Sequence, residues 1–171
     1  KTFVRSGGLL ATIGADHELR SAVETVQEWR AQFAPALVGV RMGVISMAKT
    51  CGVYANVTQR HKRVERIVYK LARPNSTSLP RLQDIAGVRA VVPSLDDLRR
   101  LEQHICAKYC ADDPNTAGVV VTSTDYIAAP RLSGYRAVHL IVQYNGMTVE
   151  LQLRTSLQQA WADFVERLSQ M

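Results

Sequence analysis

The chain has 171 residues, 47% hydrophobic and 21% charged, with three cysteines and a net charge of +6. That length and balance suit one sizeable globular core. The odd cysteine count excludes a disulfide framework, and no apolar run approaches the ~18–20 residues of a membrane span. The Gly-rich apolar patch behind Lys1 and Arg5 is too short for a secretory signal. A first residue of Lys leads us to expect a piece excised from a longer protein.

Asp16 is placed to cap a helix over 16–33, where Leu19, Val23, Val26 and Arg30 recur at helical spacing. Pro35 ends or restarts it, and a second helix follows over 36–49, stopping near Gly52. Residues 60–73, RHKRVERIVYKLAR, hold six Lys/Arg against one Glu, nearly the whole charge excess. A third helix is expected over 58–72, with Val64, Ile67, Val68 and Leu71 as its apolar stripe and Pro74 closing it. A solvated helix face is the ordinary account of such a run; a site for phosphates or a nucleic-acid backbone is the sharper one. NSTS, 75–78, reads as a loop.

IAGVRAVV, 85–92, is short and β-branched, a buried strand. Ser94 caps a helix over 95–109, with Leu95, Leu98, Leu101 and Ile105 facing inward. Cys106 and Cys110 stand at i, i+4 on it, and two buried thiols are the preferred reading because no His or Cys completes a metal's ligand set. ADDPNTAG is a loop, and VVVTSTDYI, 119–127, a strand. RAVHLIVQY, 136–144, and MTVELQLRT, 147–155, are strands joined through Asn145-Gly146, a strong hairpin signal. A helix over 156–169 closes the chain. The expected class is α/β in the α+β sense, a mixed, largely antiparallel sheet flanked by helices. Its parts are N-terminal helices within 16–72, a sheet-containing core over 82–156 and a C-terminal helix over 157–169, read as one domain.

In the last strand Val149, Leu151 and Leu153 alternate with Glu150, Gln152 and Arg154. A sheet with one wet face explains that much. If the preceding strand begins near Gly134, Tyr135, Ala137 and His139 share a face, and the hairpin presents Tyr, His, Glu, Gln and Arg on one surface. Asp84 stands just before a buried strand and Arg89 within it, a position that rarely holds Arg without a partner. Gly87 leaves space there for a close approach. Asp84 either pairs with Arg89 or binds Mg²⁺ with Glu150 as second carboxylate. On a helix Lys62, Arg66 and Arg73 lie opposite the apolar stripe, while Arg60 falls near it. Arg60 then suits a flat base and Lys62 a phosphate. These residues point to a nucleotide- and Mg²⁺-handling site, with phosphoryl transfer as the candidate reaction, and neither a P-loop nor a kinase Gly-rich loop is present.

Together RHKRVERIVYKL, LQDIAGVRAVV, DYIAAPRLSGYRAVH and VELQLRT resemble the RelA/SpoT synthetase family. Its pattern runs R-x-K-x-x-x-S-I-x-x-K, D-I-x-G-x-R, D-Y-I-x-x-P-K-x-x-G-Y-x-S-x-H and V-E-x-Q-I-R-T. The blocks cover about residues 58–156, and the chain looks most like the toxic small alarmone synthetases. The resemblance implies a nucleotidyltransferase-like fold and transfer of pyrophosphate from ATP to a ribose 3′-hydroxyl, releasing AMP. It implies that Arg60 and Arg89 sandwich the adenine and that Lys62 and Lys70 hold its phosphates, with Arg66 beside them. Asp84 and Glu150 would bind Mg²⁺, and Glu150 would also take the hydroxyl proton. Tyr135 would stack on the acceptor base, while Arg131, His139, Gln152 and Arg154 orient acceptor and phosphates. Arg66 stands where the family usually has Ser, Arg131 replaces Lys and Ala137 replaces Ser.

The implied partners are ATP and an acceptor, either a guanine or adenine nucleotide or the 3′ end of tRNA. An antitoxin or immunity protein is implied as well, and no membrane. The expected place of action is the cytoplasm, with delivery into a target bacterium as part of a larger effector as one variant. A non-catalytic nucleotide or RNA sensor is the competing reading, against which Asp84, Tyr135 and Glu150 argue.

Overall fold

The computed structural model describes residues 13–72, 78–110 and 118–168. Helix α1, Ile13–Ala31, gives way at Gln32 and Phe33 to α2, Ala34–Thr50, with Pro35 in its first turn. Strand β1, Asn56–His61, then leads to α3, Val64–Ala72. A 3₁₀ turn at Leu79–Arg81 precedes β2, Ala86–Val92, and α4, Leu95–Lys108. Strands β3, Gly118–Asp125, β4, Val138–Tyr144, and β5, Met147–Thr155, follow, and α5, Ser156–Leu168, is the last element. The five strands form one sheet in the order β1-β2-β5-β4-β3, with β2 and β5 parallel and every other pair antiparallel.

One face of the sheet is dry. Val88 and Ala90 of β2, Leu140 and Val142 of β4, and Val149, Leu151 and Leu153 of β5 are at most 1% exposed. They meet Leu37, Val40 and Val44 of α2 and Leu98, Leu101 and Ile105 of α4, all buried to the same degree. Helix α2 crosses β1, β2, β5 and β4, so the helical layer lies on this face. The apolar stretch 20–50, long and apolar enough on paper for a membrane span, is broken at 32–33, and its buried stripe is spent on this core.

Two turns behave as their residues demand. Asn145 and Gly146 both take positive φ, 48° and 76°, the primed turn that matches strand twist. Ser94 Oγ accepts the Asp97 amide at 3.1 Å, capping α4.

Several expectations are corrected. Residues 58–61 are not helical: they belong to edge strand β1, and the helix begins only at Val64. Helix α1 starts three residues before Asp16, so Asp16 is inside it and not its cap. Leu95 is 48% exposed, so the buried stripe of α4 begins at Leu98 and not at Leu95. Tyr126 and Ile127 lie in a turn beyond β3. Residues 73–77, with Arg73, Pro74 and most of NSTS, lie outside the described residues, as does the ADDPNTA loop.

Candidate active site

Residues paired across neighbouring strands point to the same side of a sheet. The observed register therefore lines up two rows across all five strands on the wet face. One runs Arg60, Gly87, Glu150, Ile141, Thr122; the next runs Thr58, Arg89, Gln152, His139, Thr124. A cleft of about 540 Å³ lies over these rows, walled by Lys70, Arg81 and Asp84 on the β1 side and by Tyr126 and Arg131 on the β3 side. A narrower recess of about 50 Å³ sits between Arg60, Gly87, Arg89 and Glu150.

Asp84 stands in the turn before β2. Lys62 Nζ donates to it at 2.5 Å and Lys70 Nζ at 3.1 Å. Burial pushes the Asp84 carboxyl up, but the hydrogen bonds and charges of the two ammonium groups outweigh it and hold it below the ordinary carboxylate range. Arg89, expected as its alternative partner, does not take that role. Its Nε is buried with no hydrogen-bond partner. Burial, then the charges of Arg154 and Arg60, pull the Arg89 pKa down, against Asp163 and Tyr135. A flat guanidinium on the floor of the recess is thus left to face whatever enters.

Glu150 anchors a chain of hydrogen bonds. His139 Nδ1 lies 2.9 Å from Glu150 Oε1, and Tyr135 Oη lies 2.6 Å from His139 Nε2. Arg154 Nη2 donates to Tyr135 Oη at 2.7 Å, which leaves the phenol proton for Nε2 and puts the imidazole proton on Nδ1, toward Glu150. Gln152 Nε2 donates to Glu150 Oε2 at 2.9 Å, and Gln152 Oε1 accepts from Arg154 at 3.0 Å. Burial raises the Glu150 pKa; the His139 hydrogen bond and charge and the Gln152 hydrogen bond bring it below normal, with the nearby Asp84 charge pushing back. Glu150 is a carboxylate at neutral pH.

Tyr126, Tyr135 and His139 meet edge to face, with ring centroids 5.1–5.9 Å apart. The Arg131 guanidinium lies 4.3 Å over the Tyr126 ring and 5.6 Å from the Tyr135 centroid, and Nη2 donates to Tyr126 Oη at 2.7 Å. Asp125 does not enter the cleft. Its carboxylate accepts the amides of Ile127 and Ala128 and pairs with Arg99 at 2.7 Å, which fixes the turn that carries Tyr126.

Arg60, Lys70, Asp84, Arg131, His139, Glu150 and Gln152 all line the one cleft. Arg89 lines the recess, Lys62 reaches Asp84, and Tyr135 and Arg154 join through His139 and Gln152. Arg66 does not join them: it is exposed on α3, a turn away from Lys70. Arg60 lines the cleft from an edge strand and not from the expected helix face. Tyr126, Arg81, Thr122 and Thr124 were missed. The alternation of Thr122 and Thr124 with Val121 and Ser123 was the available signal for the last two.

Among the described residues no three His, Cys, Asp or Glu side chains cluster around one point. Two carboxylates, both deprotonated and close enough to repel, share the cleft with three guanidinium groups. That donor set fits a hard divalent cation completed by phosphate oxygens and water.

The family profile described as "Region found in RelA / SpoT proteins" matches residues 59–168. An uncharacterized protein of Mycobacterium tuberculosis is 37% identical over 114 residues, 66% of this chain and 39% of its own length. The GTP pyrophosphokinase YjbM of Bacillus subtilis is 32% identical over 123 residues, 66% of this chain and 55% of its own. The chain thus spans between about two fifths and about half of these relatives. The small alarmone synthetase 1 of Bacillus subtilis, solved with its product pppGpp, superposes with a TM-score of 0.69 at 25% identity, covering 83% of this chain and 79% of the other. The Type VI effector Tas1, solved with its immunity protein, shares the fold at a TM-score of 0.53 and 17% identity over 77% of this chain and 62% of the other.

Proposed function

The chain belongs to the RelA/SpoT family, and from that premise we propose that it is a pyrophosphotransferase acting on ATP and a purine nucleotide. The acceptor's ribose 3′-oxygen attacks the β-phosphorus of ATP, the bond from that phosphorus to the α-bridging oxygen breaks, and AMP leaves with the electron pair. Glu150 takes the 3′-hydroxyl proton. The observation that carries this reading is the pair of polar rows over the sheet, which sets an ionised carboxylate between a guanidinium-rich recess and an aromatic corner.

Each side of the cleft has a role in this scheme. Arg60 and Arg89 stack on the adenine, as planar cations do on flat rings. Lys62 and Lys70 exchange Asp84 for the triphosphate. Tyr135 offers its ring to the acceptor base, and Arg131, His139, Gln152 and Arg154 orient acceptor and phosphates. Catalysis of this kind is positioning plus neutralisation of charge. Asp84 and Glu150 are the pair that would hold Mg²⁺, whose contribution is to screen the charge of the β- and γ-phosphates. Arg66, exposed on α3 a turn before Lys70, adds its charge beside the ATP phosphates in this scheme.

The product under this reading is a (p)ppGpp-type alarmone. The match to a GTP pyrophosphokinase and to a synthetase solved with pppGpp supports guanine over adenine acceptors. Growth inhibition, neutralised by an antitoxin or immunity protein in the cytoplasm, is the finer form of the proposal; the fold shared with Tas1 is consistent with it. Incubation with γ-labelled ATP, Mg²⁺ and each of GDP, GTP, ADP, ATP and deacylated tRNA tests it. Label on a guanine nucleotide with release of AMP is expected. Label on tRNA alone moves the acceptor to the translation machinery. ATP binding without transfer to any acceptor leaves the sensor reading.

A further inference from the structure

We propose that α5 sets the acceptor side of the cleft, with Gln159 as a positioning residue for the Tyr135 ring by way of Arg154. The inference rests on the functional reading above, in which Tyr135 carries the acceptor base.

Tyr135 lies outside β4, after Gly134 at φ 75°, so no strand ladder fixes its ring. What holds it is its hydroxyl, shared between His139 and Arg154, with the Arg154 guanidinium 5.0 Å over the ring. Arg154 is 5% exposed, and its orientation has few anchors of its own. Nη2 is divided between Tyr135 and Gln152, and Nε is buried without a partner. Nη1 has Gln159 Oε1 at 3.0 Å, and the Gln159 amide is in turn fixed by Asp163 Oδ1 at 2.6 Å. A line of hydrogen bonds thus runs from Asp163 on the helix surface through Gln159 and Arg154 to the phenol that faces His139 and Glu150.

A second contact from the same helix points the same way. The Trp161 indole packs on Gly134, with ring atoms 3.3–3.5 Å from where a side chain's first carbon would stand. The loop that turns Tyr135 toward the cleft is therefore braced from α5 as well. Helix α5 buries none of its residues, although Thr155 and Gln158 cap its start reciprocally at 2.9 and 3.3 Å. Its inner turns are spent on the site and not on the core.

Steady-state kinetics of Gln159→Ala, varying GDP at saturating ATP and ATP at saturating GDP, test this. The expected result is a rise of about tenfold in KM for the acceptor, with KM for ATP within about twofold of wild type and an unchanged melting temperature, the size expected for losing one charge-assisted hydrogen bond. The double variant Gln159→Glu/Asp163→Asn, which keeps an acceptor for Arg154 and a donor between the two positions, is expected to restore the acceptor KM. Should Gln159→Ala melt early, Asp163→Ala at an exposed side chain carries the test. Equal effects on both substrates, or none, overturn the inference while the functional reading stands. A wild-type chain that transfers nothing to any acceptor overturns both.

Discussion

The single residue on which most depends is Glu150. It is held ionised and touches His139 and Gln152, so Glu150→Gln changes charge and proton affinity while keeping shape. If Glu150 takes the proton and helps hold the metal, transfer should fall by about three orders of magnitude or more, at ~1.4 kcal/mol per factor of ten. ATP binding, measured by calorimetry, should persist. Transfer at near wild-type rate would remove Glu150 from the chemistry. Gly87 makes a sharper steric case. A first side-chain carbon there would meet protein atoms only at 3.8 Å or more, so the fold accepts a methyl, but the methyl would stand in the recess beside Arg60 and Arg89. Gly87→Ala should therefore keep its melting temperature and weaken ATP binding at least tenfold, read by titration with ATP. Arg89 was legible as a candidate because it is a charge inside an apolar strand, Asp84 because it stands just ahead of that strand, and Glu150 because it falls on the polar side of the β5 alternation. The partners were not legible: Asp84 chose Lys62 and Lys70 over Arg89 because the turn before β2 brings it to α3.

At the scale of elements, Gly43 lets α2 pass close to Tyr109 at the C-terminal end of α4. A methyl at Gly43 would stand 2.3 Å from Tyr109 Oη, and Tyr109 is 6% exposed with its pKa pushed up to about 12 by burial, then by Tyr144. Ala gains about 1 kcal/mol of helix propensity over Gly, whereas overpacking a rigid core costs ~1–3 kcal/mol. The overpacking should win, so Gly43→Ala is expected to lose about 1 kcal/mol in urea unfolding, and Tyr109→Phe in the same chain to recover it. A stable Gly43→Ala would mean that α2 sits more loosely than described. Strands β2, β4 and β5, the Asn145-Gly146 turn and the cap at Ser94 were readable in sequence because each is a local signal. Strand β1 was not. Its only buried residue is Val57, and Gln59 and Arg60 favour helix as isolated residues. Pairing with β2 overrides that preference, as edge strands with two polar faces require.

At the scale of the molecule, the folded state's charges set its response to pH. Asp84 and Glu150 have folded pKa values below their unfolded ones, so their contribution is full above about pH 4.5 and is lost as pH falls through the lowered values. His61 is also lowered, by burial and then by the Arg30 charge, so the unfolded chain binds its proton first and stability declines as pH drops below 6.5. Thermal melts should fall in two stages, one beginning near pH 6.5 and one below about pH 4.5. Glu150→Gln should soften only the lower stage; a single transition unaffected by that change would contradict the assignment. The net charge of +6 and the guanidinium groups around the cleft have the sign that the proposed polyphosphate substrates require.

Residue type and local period were enough to show the family. The four motif blocks, the alternation in β5, and Asp84 ahead of a buried strand offered the groups that the proposed nucleotide and metal would use, because such signals survive without a fold. Only the tertiary structure decided which of them meet. A parallel pairing of β2 with β5, strands some sixty residues apart, puts Gly87 beside Glu150 and Arg89 beside Gln152. Helix α5 reaches the Tyr135 hydroxyl through the buried Arg154. Arg66 stands a turn before Lys70 on α3, yet only Lys70 reaches the Asp84 carboxylate. Contacts between distant segments follow from strand register and burial, which depend on what the whole core can bury, and no local pattern encodes them.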